Sequence, residues 1–201
     1  MPLLETRHAG LHDLVSPDAV AERVAGGLTF TEGPVWRGGG LLFSDIPNKR
    51  IVRWRRLPEG PELTTYARGM SNGLTLDRQG RVLAAEHDGR RVTRVADDGS
   101  RTVLVERFEG KRLNSPNDIV VKSDGSIYFT DPPYGLLDRN ADRDQPYSGI
   151  FRLAPDNSLH LIDTTLAPNG IGVSPDGTKL YSSDQPTGCG RRRREGAAHP
   201  L

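Results

Sequence analysis

Short apolar segments that alternate with polar positions recur four times along the chain, each time on both sides of a tight polar turn. The four units span residues 33–45, 72–86, 118–131 and 170–184. Their turns contain a glycine run, Gln-Gly or Asp-Gly, and glycine tolerates the positive φ that tight turns between antiparallel strands require. The pattern therefore predicts four β-hairpins in series.

Further alternating segments follow three of these hairpins, at residues 50–54, 91–95 and 150–153, and outer strands are predicted at 102–105 and 159–162. No segment after residue 30 has a helical period. Equivalent positions of successive units lie 40 residues apart (33 and 73), 45 apart (72 and 117) and 52 apart (117 and 169). A period of roughly 40–50 residues in an all-β chain is typical of a β-propeller with one four-stranded blade per repeat.

Three units begin with a residue whose side chain offers an oxygen ligand: Glu32, Asn117 and Asn169. Equivalent positions in successive blades of a closed ring face the same way, so we expect these side chains to converge on one central site. One carboxylate and two amide oxygens suit Ca²⁺ or Mg²⁺ better than metals that prefer thiolates. Asn72 begins the second unit at the same relative position and is expected to face the same site.

Several spaced motifs together resemble the gluconolactonase branch of the SMP-30/gluconolactonase/luciferin-regenerating-like family. They are Thr-Glu-Gly-Pro-Val-Trp from residue 31, Asn-Gly-Leu-Thr-Leu-Asp from 72, Ser-Pro-Asn-Asp-Ile-Val-Val from 115, Tyr-Phe-Thr-Asp-Pro-Pro-Tyr-Gly from 128 and Pro-Asn-Gly-Ile-Gly-Val-Ser-Pro-Asp-Gly from 168. The resemblance implies a six-bladed propeller with one divalent cation at the top of its channel. About four blades' worth of sequence is present here.

The resemblance also implies roles for individual residues. Glu32, Asn117 and Asn169 match positions at the metal, and Asn117 is expected to contact the substrate as well. The family's aspartate ligand, which would also serve as the base, is expected about one blade further on, beyond residue 201, so no catalytic residue is assigned. The expected cofactor is one divalent cation, Ca²⁺ first, with Mg²⁺, Zn²⁺ or Mn²⁺ as alternatives. Asn72, His87 and Tyr134 are further candidates for substrate contact.

Each candidate also fits a purely structural interpretation. Glu32 lies in a Glu-Gly-Pro turn, Asn169 precedes a glycine as turn asparagines do, and Asn117 followed by Asp118 fits an Asx turn. His87 fits a loop histidine, and Tyr134 lies in a proline-rich turn. The repetition of oxygen ligands at equivalent positions favours the site over these separate explanations.

The predicted function is divalent-cation-dependent hydrolysis of a sugar lactone, of the D-glucono-1,5-lactone type, to the aldonic acid. Such a cation can polarise the lactone carbonyl. Two alternatives stay open: a non-catalytic propeller fragment, and a related metal-dependent esterase or phosphotriesterase. The sequence contains neither a Gly-x-Ser-x-Gly elbow nor a phosphate-binding loop, and its five histidines lack zinc-site spacing.

Composition divides the chain into an N-terminal segment (1–25), an incomplete propeller (26–187) and an irregular basic tail (188–201). We expect the tail to be a frameshift product without strands. Its four arginines and one glutamate give it a net charge of +3, so the rest of the chain carries −2 of the formal total of +1. A basic arm that binds nucleic acid or membrane is the alternative, but the charge balance favours neither partner.

The expected partner is a small sugar lactone. The chain has a single cysteine, Cys189, and therefore cannot form an internal disulfide. The first residues lack an apolar signal-peptide core, and no segment approaches the roughly 20 apolar residues that span a bilayer. A cytoplasmic location is therefore expected. The oligomeric state is not indicated by the sequence.

Overall fold

The protein is described by a computed structural model that covers residues 9–165, 167–184 and 197–201. Within these residues a single 3-10 helix, Ala9–Asp13, is followed by strands that pair antiparallel with their neighbours. The prediction of an all-β fold without helices after residue 30 is confirmed. None of the described helices is long and apolar enough to cross a membrane.

Three four-stranded sheets follow one another along the chain, each with its strands in sequence order. The first comprises β1 (Thr31–Arg37), β2 (Gly40–Asp45), β3 (Arg50–Leu57) and β4 (Gly60–Arg68). The second comprises β5 (Ser71–Leu76), β6 (Val82–Glu86), β7 (Arg91–Val95) and β8 (Arg101–Val105). The third comprises β11 (Ile119–Val121), β12 (Ile127–Asp131), β13 (Gly149–Leu153) and β14 (Leu159–Asp163). These are the predicted blades.

The fourth sheet has three strands: β15 (Pro168–Val173), β16 (Lys179–Asp184) and β17 (Ala197–Pro200). The prediction that residues 188–201 contain no strand is wrong at this point, because β17 pairs with β16 from Lys179↔Pro200 to Ser182↔Ala197. Strand pairing uses backbone groups, so Ala-Ala-His-Pro can complete a sheet edge without an apolar pattern. Residues 188–196 lie outside the described part of the chain.

A small hairpin between the second and third sheets was not predicted. It consists of β9 (Arg107–Phe108) and β10 (Lys111–Arg112). Two-residue strands are too short to produce a visible alternation. The hairpin places the Phe108 ring edge-on to Phe151 of the third blade, at a centroid distance of 5.2 Å. The hairpin therefore adds an aromatic side chain to the core between the second and third blades.

Apolar side chains lie mainly between the faces of consecutive blades. Leu42, Ile51, Leu74 and Val82 join the first and second blades. The second and third blades share a cluster that includes Leu83, Val92, Phe129 and Phe151, and Tyr128, Ile150 and Leu180 join the third to the fourth. Burial of this face-to-face area is the dominant favourable contribution to folding, and it arranges the sheets as successive propeller blades.

The inner strands of the first, second and fourth blades carry a register shift at the same place. The shifts lie between Glu32 and Val35, between Ser71 and Leu74, and between Pro168 and Ile171. Such bulges re-aim side chains at the end of a strand. In each blade the shifted segment contains the predicted oxygen ligand followed by a glycine, so the bulge is what presents that ligand.

The glycines in these bulges allow neighbouring blades to touch. A Cβ on Gly33, whose φ is +58°, would lie 2.4 Å from the carbonyl oxygen of Asn72. A Cβ on Gly73 would lie 2.8 Å from the carbonyl oxygen of Asn117 and 2.7 Å from Oδ1 of Asp118. The inner strands can approach this closely only because neither position has a side chain.

We predict that Gly73→Ala destabilises the protein by about 1–3 kcal/mol, because the added methyl group overlaps backbone atoms of the next blade. Gly172→Ala is the matched control, since a Cβ there meets no atom within 4 Å and the backbone is not left-handed. Urea unfolding midpoints of the two variants and the wild type provide the measurement. Equal stability of both variants would contradict the close-packed arrangement of the blade openings.

Candidate functional site

One cavity of about 350 Å³ is lined by residues that lie at, or just before, the beginning of all four inner strands. Glu32, Asn72, Asn117 and Asn169 all line it. These four residues come from four different blades and are separated by up to 137 positions in sequence. The structure therefore brings together the residues that the repeat pattern selected. Their roles are treated below as proposals.

Hydrogen bonds between blades fix the backbone of each asparagine in this set. The Ser44 hydroxyl in the first blade donates to the Asn72 carbonyl at 2.7 Å. The Gly73 amide donates to the Asn117 carbonyl at 2.7 Å. The Thr130 hydroxyl in the third blade donates to the Asn169 carbonyl at 2.8 Å. The backbone of each asparagine is thus held in place by a neighbouring blade.

Asp118 also lines the cavity, and the sequence prediction did not include it. Its Oδ1 accepts a hydrogen bond from its neighbour's amide, Ile119, and its Oδ2 accepts one from Ile171 in the fourth blade, both at 2.9 Å. Burial raises the pKa of Asp118, and the two backbone hydrogen bonds oppose this rise. A signal was present in the sequence, because Asp118 occupies the place that glycine takes after Glu32, Asn72 and Asn169.

His87 lies next to two of the asparagines and does not itself line the cavity. Its side chain is buried, and its Nε2 is 3.3 Å from Nδ2 of Asn72 and 3.5 Å from Nδ2 of Asn117. Burial lowers the pKa of His87 to about 4, and the nearby Asp88 only partly offsets this. The imidazole is therefore neutral near pH 7.

Tyr134 lies in the loop that leaves the inner part of the third blade. Its hydroxyl donates to the carbonyl of Ala167, just before the fourth blade, at 3.1 Å, and burial raises its pKa. The guanidinium of Arg139 lies 5.5 Å from the centre of its ring. Tyr134 thus ties this loop to the neighbouring blade; like His87, it is not part of the cavity lining.

Each second strand ends in a carboxylate: Asp45, Glu86, Asp131 and Asp184. Three of them accept a backbone hydrogen bond from the segment that leads into the inner strand, from Thr29, Asn114 and Ala167 respectively. Glu86 instead accepts a hydrogen bond from the guanidinium group of Arg101. The same guanidinium group donates to the carbonyl of Arg68 at 2.6 Å. These carboxylates therefore anchor the segments that carry the cavity residues.

The chemistry of the lining fits a hard divalent cation. Among the described residues, no group of three or more His, Cys, Asp or Glu side chains is placed to hold a metal, so a site here would combine carboxylates with amide oxygens. Glu32 and Asp118 supply the carboxylates, and Asn117 and Asn169 the amides. Oxygen-only sets of this kind suit Ca²⁺ and Mg²⁺. Within the described residues, the Glu32 carboxylate makes no hydrogen bond or ion pair that would compete with a cation.

Comparison with known proteins agrees with this arrangement. Residues 30–191 match the family description of the SMP-30/gluconolactonase/LRE-like region. The chain belongs to this family. The resemblance inferred from the spaced motifs is thereby confirmed.

A gluconolactonase of Zymomonas mobilis is 37% identical over 185 residues, which cover 81% of this chain and 51% of that protein. The solved structure of a gluconolactonase from Xanthomonas campestris is 40% identical with a TM-score of 0.72, and the match covers 79% of this chain and 56% of that one. The chain thus spans about half the length of these family members.

Regucalcin from Agrobacterium tumefaciens, a calcium-binding protein, is 22% identical with a TM-score of 0.57, over 78% of this chain and 51% of that one. At this identity the likeness supports the fold alone. It confirms that the successive sheets form part of a propeller of the type found in this family.

Asp131 provides a pH-dependent test of the anchoring carboxylates. It is fully buried, and burial raises its pKa to about 7 against roughly 3.9 in an unfolded chain. Between these two pH values the folded state binds more protons than the unfolded state. The free energy of unfolding therefore falls as the pH rises from about 4 to about 7.

We predict that Asp131→Asn gains stability relative to the wild type between pH 4 and pH 8. The gain should amount to a few kcal/mol, since one pKa unit corresponds to about 1.4 kcal/mol. Urea unfolding of both proteins at several pH values in this range measures the difference. A difference that stays constant with pH would show that the Asp131 carboxyl is ionised throughout.

Proposed function

We propose that the whole protein hydrolyses a sugar lactone of the D-glucono-1,5-lactone type to its aldonic acid, in a reaction that depends on a divalent cation. The observation that carries this proposal is the convergence of Glu32, Asn117 and Asn169 on one cavity in a member of the gluconolactonase family. The gluconolactonases from Zymomonas and Xanthomonas support the substrate class.

In this proposal Glu32, Asn117 and Asn169 hold the cation, and Asp118 adds a second negative charge beside it. Ca²⁺ is the proposed ion, because it accepts a mixed set of carboxylate and amide oxygens in flexible geometry. When bound, the cation would act as a Lewis acid on the lactone carbonyl. The oxygen ligands leave room for a substrate in a cavity of about 350 Å³.

The asparagines that line the cavity are proposed to bind and orient the lactone. Asn72 and Asn117 can donate or accept hydrogen bonds with the ring hydroxyls of a sugar. Fixed orientation of the ester relative to the attacking water would lower the entropic part of the barrier. Tyr134 is proposed to border the substrate through its loop, and the base that takes the proton of water is proposed to be an aspartate of the whole protein, about one blade past Asn169.

The predicted contact between His87 and the substrate is not tested by these observations and stays a prediction, as does the cytoplasmic location. The same holds for the division of the chain at residues 25 and 187. The family and its relatives imply a small-molecule substrate, and no specific observation favours a phosphotriester over a lactone.

We predict that Glu32→Gln weakens Ca²⁺ binding by roughly tenfold or more, because it replaces the carboxylate of the proposed ligand set by a neutral amide of the same size. Isothermal titration calorimetry of the 201-residue chain measures the affinity, and D-glucono-1,5-lactone hydrolysis is followed with and without EDTA. Glu59→Gln, in the exposed β3–β4 turn, is the control and should bind as the wild type does.

Lactone hydrolysis that EDTA leaves unchanged would contradict the cation-dependent mechanism. Calcium binding that depends on Glu32 but is accompanied by no turnover of any lactone would instead support the non-catalytic alternative for this chain.

A further inference from the structure

The backbone and the imidazole ring of His87 are each in contact with a neighbouring segment. Its backbone amide donates to the carbonyl of Met70 at 2.8 Å. Its imidazole lies against the backbone of Gly135, where a Cβ would come within 2.5 Å of the His87 Cβ and Cγ atoms. Ser115 secures that loop, because its hydroxyl donates to the Pro132 carbonyl at 2.6 Å and accepts from the Gly135 amide at 2.9 Å. The ring therefore cannot turn without moving the loop.

The nitrogen that faces the cavity wall meets two amide groups. Nε2 of His87 lies 3.3 Å from Nδ2 of Asn72 and 3.5 Å from Nδ2 of Asn117. An amide NH₂ group only donates hydrogen bonds, so with the two amides in this orientation Nε2 is the acceptor in both contacts. Two donors share a single lone pair, which explains why both distances exceed those of ordinary hydrogen bonds.

An acceptor at this position decides which way the two amides face. Each amide carries its oxygen on the opposite branch from its nitrogen, so holding Nδ2 toward His87 leaves Oδ1 on the other side. Asn72 and Asn117 both line the cavity. If the Asn117 amide were reversed, its NH₂ group would face the proposed cation, and the contact would be repulsive.

We propose that His87 is a positioning residue: in its Nδ1–H tautomer, Nε2 accepts hydrogen bonds from the side-chain amides of Asn72 and Asn117 and directs both amide oxygens into the cavity. The inference rests on the proposed function, because it gives those oxygens a cation and a lactone to meet. It assigns His87 a role behind the cavity wall, where it sets the ligand geometry through two other residues.

The tautomer can be measured without metal or substrate. Long-range ¹H–¹⁵N correlation spectra of the wild-type chain at neutral pH report which imidazole nitrogen carries the proton, and the His87 signals are assigned by their loss in His87→Phe. We expect a protonated Nδ1 and an unprotonated Nε2. An Nε2–H tautomer would overturn the proposal. This result does not depend on whether the chain binds calcium or turns over a lactone, so it fails independently of the proposed function.

Two substitutions then separate positioning from packing. His87→Phe keeps a ring against Gly135 but removes the acceptor, whereas His87→Gln loses the ring and places an amide oxygen near the position of Nε2. We expect His87→Phe to weaken Ca²⁺ binding by roughly tenfold or more, as replacement of groups that orient metal ligands does. His87→Gln should recover most of the affinity, and His160→Gln, at an exposed histidine, should leave it unchanged.

A purely structural role predicts the opposite order, because the ring-preserving variant would then be the better binder. Calorimetric affinities are therefore compared with urea unfolding midpoints measured without metal. Binding by His87→Phe as tight as that of the wild type, or weaker binding by His87→Gln than by His87→Phe, would overturn the proposal. If His87→Phe fails to fold, the His87 signals are assigned by their loss in His87→Gln, and the tautomer measurement together with the affinity of His87→Gln still decides.

Discussion

The close approach of the inner strands at the blade openings is the constraint on which the rest of the structure depends. Side-chain-free positions at Gly33 and Gly73 let backbone atoms of adjacent blades come within hydrogen-bonding distance. Asp118 stands where the other repeats have glycine, and its carboxylate reaches the amide of Ile171 in the next blade. The same contacts that join the blades therefore set the size and lining of the central cavity.

The chemistry of the cavity follows from how its polar groups are held. The backbone carbonyls of the lining asparagines accept hydrogen bonds from neighbouring blades, which places these residues around the cavity. A neutral, buried His87 adds no positive charge that would repel a cation, and Glu32 and Asp118 supply negative charge. Anchoring carboxylates such as Asp45 and Asp131 lie behind these residues and hold the segments that carry them.

The sequence allowed the convergence of Glu32, Asn72, Asn117 and Asn169 to be predicted, because a repeat of known period translates equivalent positions into a common location. It did not reveal the β9–β10 hairpin or β17, whose pairing depends on backbone groups and on what lies beside them in space. Asp118 was not predicted, because Asn117 followed by Asp118 also fits an Asx turn, although Asp118 breaks the glycine pattern. The role of His87 depends on which atoms it faces, and no sequence pattern contains that information.

The measurement that tests the account most directly is a Ca²⁺ titration of the ¹⁵N-labelled chain, followed through the side-chain amide signals of Asn72, Asn117 and Asn169. These residues belong to three different blades, so one shared site predicts that all three signals shift along a single binding curve with a common dissociation constant. Signals of asparagines outside the cavity, such as Asn140, should not follow that curve. Shifts with different midpoints, or no response of Asn117 and Asn169, would contradict a single cation site at the blade openings.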